Sequence, residues 1–207
     1  MIHVVVEGHG ETLAMGKLLA KLSHHLGIDS TQFAPPRKDR RVFTEKGIAE
    51  LVHLAQSSKS TGLLIIRDSE DDCPKENAPK MSEWIESLQP QIPVAYVLLY
   101  REFETLFLSV ASRICGQELV LHGTKAKIRL NPNFQIEFDP ERRRDAKGEL
   151  NNLFPGNQIY KPTLHQLPLV TLCKIEWLEE AQLPSFGSLQ RALLHLSNPA
   201  RNKTCYP

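Results

Sequence analysis

Two short apolar runs end directly in carboxylates, and this limits what the chain can fold into. The first, Ile2-His3-Val4-Val5-Val6, delivers Glu7 and then Gly8-His9-Gly10. The second, Gly62-Leu63-Leu64-Ile65-Ile66, runs into Arg67-Asp68-Ser69-Glu70-Asp71-Asp72. Branched apolar runs of this length read as strands buried on both faces, which belong in a parallel sheet covered by helices. Ligands of such sheets bind beyond the carboxyl ends of the strands. Acidic residues at two such ends can meet at one point, and a divalent metal ion is the simplest occupant for it.

The rest of the pattern supports that sheet. Leu13, Leu18, Leu19, Leu22 and Leu26 recur at helical spacing before Gly27, a good helix stop. Residues 30–34 read as a short strand and 35–41 as a basic loop. Thr44 can cap a second helix that buries Ile48, Leu51, Val52 and Ala55. A third helix is expected over 79–88, with Met81, Trp84, Ile85 and Leu88 as its stripe. A third buried strand over 93–99 leads into Tyr100-Arg101-Glu102-Phe103-Glu104 and a helix over about 102–114. This order predicts an α/β fold, a mostly parallel sheet with helices on both faces.

Beyond residue 116 the pattern weakens. Residues 119–121 and 136–138 read as strands of a hairpin or an insertion, and a short helix over 142–153, another around Trp177 and Ala181, and a last helix over 186–196 make up a helical C-terminal extension. We therefore expect one domain over 1–197, with a sheet core at 1–115 and an elaboration at 116–197. A flexible tail over 198–207 follows it.

The 25 Lys and Arg nearly balance 24 Asp and Glu, so any polyanion site has to be a local patch. Candidate patches are 37–41, Lys125-Ala-Lys127-Ile-Arg129 and 142–147. The longest apolar run falls short of the ~20 residues that cross a bilayer. No basic segment precedes the first strand, so a signal peptide is not expected. Cys73, Cys115, Cys173 and Cys205 form no Cys-x-x-Cys pair and read as free thiols in a reducing cytoplasm.

Phosphoryl chemistry needs charge neutralisation and an activated water, which Mg²⁺ or Mn²⁺ held by carboxylates supplies. Asp68 and Glu70 sit two apart at a strand end and are expected to point the same way. Glu7 directly follows three valines, where an unpartnered carboxylate is costly, and it can ligate metal or act as general acid/base. The bland reading of 68–72 is a solvated, helix-capping loop. Asp71 or Asp72 can share metal duty with Glu70. Glu104, at the end of the third buried strand, either completes a second metal site or caps its helix. Glu102 reads as structural, and Arg101 as a salt-bridge partner that orients carboxylates. Lys147 and Lys161 are candidates for phosphate contact or charge stabilisation. His9 can touch a phosphate or simply sit in an exposed turn. The Gly8-His9-Gly10 pair lacks the third glycine of a dinucleotide-binding turn, where Leu13 stands.

Val6-Glu7-Gly8 before a helix, with an Asp-x-Asp-like segment after a later strand, resembles the TOPRIM fold of topoisomerases, primases and OLD-family nucleases. Asp68-Ser-Glu-Asp-Asp-Cys-Pro74, Arg101-Glu-Phe-Glu104, Arg144-Asp-Ala-Lys147, Tyr160-Lys161 with Gln166, and Pro184-Ser-Phe186 resemble an uncharacterised bacterial TOPRIM-like family. The resemblance implies that Glu7 is the general acid/base, that Asp68 and Glu70 hold the metal, and that the chain is a metal-dependent nuclease acting on DNA or RNA. Asp72 and Glu104 join the ligand set, and Glu70 stands where the pattern has Asp. It further implies a role in phage defence beside an ATPase partner; a homodimer is a separate expectation that the resemblance does not supply. The alternatives are a non-catalytic TOPRIM-like module that binds a partner or nucleic acid, and hydrolysis of a small phosphorylated metabolite.

Overall fold

In the computed structural model, residues 1–8, 10–124, 126–198 and 205–206 are described. The strand β1 (Ile2–Val6) leads to helix α1 (Glu11–His25), and β2 (Arg37–Lys38) follows. Helix α2 (Glu45–Ser57), β3 (Gly62–Asp68), α3 (Pro74–Ser87) and β4 (Val94–Leu99) complete the core sequence. Short helices α4 (Thr105–Ser109) and α5 (Ala111–Ile114) come next, then a hairpin of β5 (Glu118–Val120) and β6 (Lys127–Arg129). Helices α6 (Ala146–Asn151), α7 (Pro162–Leu172), α8 (Ile175–Glu180) and α9 (Pro184–Ser197) precede β7 (Cys205–Tyr206).

The main sheet has the order β2-β1-β3-β4-β7, and every pairing in it is parallel. Side-chain alternation divides its two faces. Val4, Val6, Leu64, Ile66, Ala95, Val97 and Leu99 pack into the larger core, with apolar residues of α1, α4, α7 and α9. Val5, Leu63, Ile65, Val94, Tyr96 and Leu98 pack into the smaller one, against α2 and α3. Both faces are covered, which is why these strands read as unbroken apolar runs. From β1 the chain moves outward to β2, then crosses back over β1 to form β3. The order therefore reverses between β1 and β3, and their carboxyl ends flank the crevice where such sheets bind ligands.

Several expectations need correction. The strand expected over 30–34 is mainly a 3₁₀ turn at Ser30–Gln32, with a single bridge from Phe33 to Ile2. The second strand lies instead inside the basic loop, where Arg37 and Lys38 pair with Val5 and Val6. Leu13 is 58% exposed and is not on the buried stripe of α1. Helix α3 starts at Pro74 and carries Pro79 inside it, and the expected 102–114 helix is two short ones. The hairpin partner of β5 is β6 and not 136–138. Helix α7 escaped the pattern altogether. The tail is also corrected at Cys205 and Tyr206, which extend the sheet beside Val94 and Ala95 with Cys205 fully buried. Residues 199–204 and 207 of that tail lie outside the described residues.

A buried carboxylate cluster as the candidate functional site

The register sets the ends of β1, β3 and β4 side by side: Val6 pairs with Ile66, and Asp68 with Leu99. Asp68 is the last residue of β3 and shares the parity of Leu64 and Ile66, so its side chain enters the larger core. It is 3% exposed. Its Oδ1 accepts the N–H of Phe103 at 2.8 Å, and its own N–H donates to Glu7 Oε2 at 3.1 Å. Asp68 thus ties the end of β1 to the connection between β4 and α4. Glu104, at the start of α4, is fully buried. Its Oε1 accepts from Tyr160 Oη at 2.9 Å and from Gln166 Nε2 at 3.0 Å. Its Oε2 makes no hydrogen bond, and Lys147 Nζ stands 3.9 Å away. Lys147 is anchored by Glu102, which accepts from its Nζ at 3.0 Å and its backbone N–H at 3.1 Å.

A fourth carboxylate joins the cluster that sequence reasoning missed. Glu11 opens α1 and is only 7% exposed. Its Oε2 accepts the N–H of Gly8 at 3.3 Å. The glycines leave room for these side chains: a Cβ on Gly8 would displace the Glu11 carboxyl, and one on Gly10 would lie 2.7 Å from Gln166 Oε1 and 3.0 Å from Pro162 Cβ. The sequence signal was available, since Glu7 and Glu11 flank the turn that starts the helix. The leucine stripe masked it by accounting for the helix's burial without Glu11.

Burial is the leading reason that Glu7, Glu11, Asp68 and Glu104 all hold their protons above the ordinary carboxylate range. Mutual repulsion adds to it. Asp68 feels the charges of Glu11, Glu104 and Glu7, while Glu11, raised to about 7, feels Glu7 and Glu104. Lys147 opposes the shift at each of the four. Burial acts against the charge of Lys147 itself, yet Glu104, Glu102 and Asp68 outweigh it and hold the ammonium firmly protonated. Burial, then Glu104, likewise raises the Tyr160 phenol, which stays a donor.

No protein-family model, curated protein or solved structure matches this chain. The site has to be read on its own chemistry.

The structure brings Glu7, Asp68, Glu104 and Lys147 together and places the other candidates apart. Glu70 does not share the direction of Asp68. The pleat ends at Asp68, and Glu70 takes a left-handed φ of 52° that leaves it exposed, where its charge still reaches Glu7. Asp72 pairs with Arg67 at 2.8 Å. Asp71 pairs with Arg101 at 2.9 Å and Arg144 at 3.3 Å. Lys161 is exposed, and its backbone N–H donates to His165 Nδ1 at 2.8 Å. Glu104 makes no side-chain cap to its helix. His9 and Lys125 lie outside the described residues. Among the described residues no helix is long and apolar enough to cross a membrane.

Among the described residues no three His, Cys, Asp or Glu side chains stand at metal-holding geometry. The donor chemistry nonetheless fits a hard divalent ion. It offers oxygen atoms only, four carboxylates against one nearby ammonium, and a buried oxygen of Glu104 that lacks a donor.

Proposed function

We propose that the chain is a divalent-metal-dependent phosphoryl-transfer enzyme acting on nucleic acid, with a TOPRIM-like arrangement of its strand ends. The observation that carries this reading is the crowding of buried carboxyl groups about Asp68, whose N–H donates to Glu7, together with the unpartnered Oε2 of the buried Glu104. Glu11, Glu104 and Glu7 act on it electrostatically, and Lys147 opposes them. An uncompensated group of buried carboxylates is costly to keep unless something binds there. Glu7 and Asp68 would hold Mg²⁺ or Mn²⁺, with Glu11 and Glu104 beside them and Glu70 reaching in from the solvent side. A bound ion would neutralise charge on the phosphoryl oxygens and make its water more acidic.

The chain's own groups define the remaining roles. Glu7 accepts only one described hydrogen bond, is half-buried and holds a proton more readily than an ordinary carboxylate, which suits a general acid/base. Lys147 presents a fixed positive charge beside Glu104 for the transition state. Tyr160 and Gln166 orient Glu104 through its Oε1. The resemblance to OLD-family nucleases and their relatives adds, as part of the proposal, phage defence beside an ATPase partner.

A second reading rests on a specific observation. Glu104 is tied to α7 and its preceding loop, and no described carboxylate triad stands at metal-holding geometry. That favours a non-catalytic module whose acidic edge locks the fold and serves a partner. Cleavage of single-stranded, duplex and RNA substrates with and without Mn²⁺ separates the two. Metal-dependent cleavage lost in Glu7→Gln and Asp68→Asn supports the enzyme. Cleavage unchanged by both substitutions sinks it.

A further inference from the structure

The three basic segments of the chain differ in what holds their cations. Around β6, Lys127 pairs with Glu118 at 2.7 Å, and Arg129 Nε donates to the Gly116 oxygen at 3.2 Å. At 142–147, Arg142, Arg143, Arg144 and Lys147 all have carboxylate partners. At 37–41 only Arg41 is taken, by Asp39 at 2.6 Å and Glu50 at 3.9 Å. Arg37, Lys38 and Arg40 are exposed and make no ion pair among the described residues.

These free cations stand beside the carboxylate cluster. The edge strand β2 lies next to β1, and Lys38 pairs with Val6 across one strand spacing, ~4.8 Å. Glu7 is the residue after Val6. Lys38 leaves the sheet on the face of its partner Val6, the face that Ile66 and Asp68 also use. The following turn hangs from the same point: the Asp39 N–H donates to the Val6 oxygen at 3.0 Å, and Asp39 Oδ1 accepts the Arg41 N–H at 3.0 Å. Val42 is buried in the smaller core, which leaves Arg40 and Phe43 on the outside. Phe43 is 49% exposed, so a basic turn ends in an aromatic ring open to solvent. On the other face burial, and after it the charge of Arg37, lowers the pKa of His3.

Carboxylates repel a phosphate backbone, so a polyanion that is to reach the cluster needs cations beside it. Lys38 and Arg40 supply them without giving up an ion pair. An unpaired strand also offers the faces of its bases to Phe43, whereas a duplex keeps them stacked inside. We propose that the rim formed by β2 and its following turn carries an unpaired nucleic-acid strand to the carboxylate cluster, with Lys38 and Arg40 on its phosphates and Phe43 against a base. It rests on the phosphoryl-transfer reading of that cluster, and it narrows the substrate class to single strands.

Fluorescence anisotropy with a labelled oligothymidylate and a duplex, each about twelve residues long to span the site sizes of single-strand binders, tests this. The double variant Lys38→Gln, Arg40→Gln changes two exposed side chains, and circular dichroism checks that it folds. Its affinity for the single strand should fall about tenfold, and its log–log salt slope should drop by about 1.4, at ~0.7 for each phosphate no longer neutralised. Phe43→Ala should weaken the single strand about tenfold, leave the salt slope and duplex binding unchanged, and be rescued by Phe43→Trp. Lys59→Gln with Lys80→Gln removes the same charge from exposed positions outside the rim and should leave binding at the wild-type level. Wild-type affinity in the rim variants, equal weakening in this charge-matched control, or equal weakening of strand and duplex by Phe43→Ala overturns the proposal. Hydrolysis of bis(p-nitrophenyl) phosphate, which has no strand to hold, should be unchanged in the double variant, and its loss there also overturns the proposal. A wild type that fails to hydrolyse it under Mn²⁺ defeats the phosphoryl-transfer reading, while the anisotropy result still decides the rim.

Discussion

The stretch 68–72 holds two acidic regions that the fold treats in opposite ways. Asp68 is the last pleated residue of β3 and enters the core, where it meets Glu7, Glu11 and Glu104, with Lys147 opposing them. Glu70, Asp71 and Asp72 lie past the pleat and are exposed, and Asp71 and Asp72 have arginine partners. The inner group is short of positive charge, and the outer loop is close to balanced. Acidic residues a few positions apart therefore carry different meanings. The inner ones are buried and crowded and hold their protons, and the outer ones fasten a loop. Arg101 makes the fastening: its Nη1 donates to Asp71 and to the backbone oxygen of Glu70, while its own oxygen accepts the Glu70 N–H at 3.0 Å.

The sharpest way to break this contrast is Asp68→Asn. It should cut metal-dependent turnover by roughly 10³-fold, on the scale of removing one group that acts on the transition state. The same change should raise the metal-free unfolding midpoint at pH 8, because a crowded carboxylate is gone while Asn can still accept from Phe103. A lower midpoint would mean that the cluster is a stabilising network.

The pH response follows next in size. Glu11 titrates near 4.5 when unfolded and near 7 when folded. Between those values the folded state keeps a proton that the unfolded state has lost, so stability falls as pH rises through that window. Its share is roughly 3 kcal/mol, fully lost above pH 7. Asp68, Glu7 and Glu104 shift the same way. Urea unfolding of the metal-free protein at pH 5 and pH 8 should show this loss, and Glu11→Gln should reduce it. A stability that rises over that range contradicts the inner cluster as described.

Lys147→Met removes the opposing cation. Its side chain is 44% exposed, so solvent screens part of the loss and about 1–2 kcal/mol is expected. Thermal unfolding at pH 7 measures it, and added Mn²⁺ should recover part of the loss. The smallest effect belongs to the outer loop. Asp72→Asn should cost no more than ~1 kcal/mol, as exposed pairs do, and should leave turnover unchanged.

Much of the frame was legible because β1, β3 and β4 are buried on both faces and show it as unbroken apolar runs. That frame put Glu7, Asp68 and Glu104 at neighbouring strand ends, with Glu104 left open between a metal site and a helix cap. What stayed hidden depends on backbone pairing more than on side chains. Arg37 and Lys38 carry no apolar signal, and they form β2 by pairing beside Val5 and Val6. Cys205 and Tyr206 join the sheet on two residues. Helix α7 was obscured by Pro162 and Pro168, although it supplies Gln166 to Glu104. Glu70 misled because alternation holds only while the strand does, and its φ of 52° ends it. Glu11 was hidden by its place on a helix whose leucines already explained the burial.

Calorimetric titration of Mn²⁺ into wild type, Asp68→Asn and Asp72→Asn tests the division between inner and outer carboxylates most directly. Wild type and Asp72→Asn should bind with the same affinity and release protons near pH 7, while Asp68→Asn binds at least tenfold more weakly. Binding that survives in Asp68→Asn and is lost in Asp72→Asn would place the cation in the outer loop and contradict the inner cluster as its site.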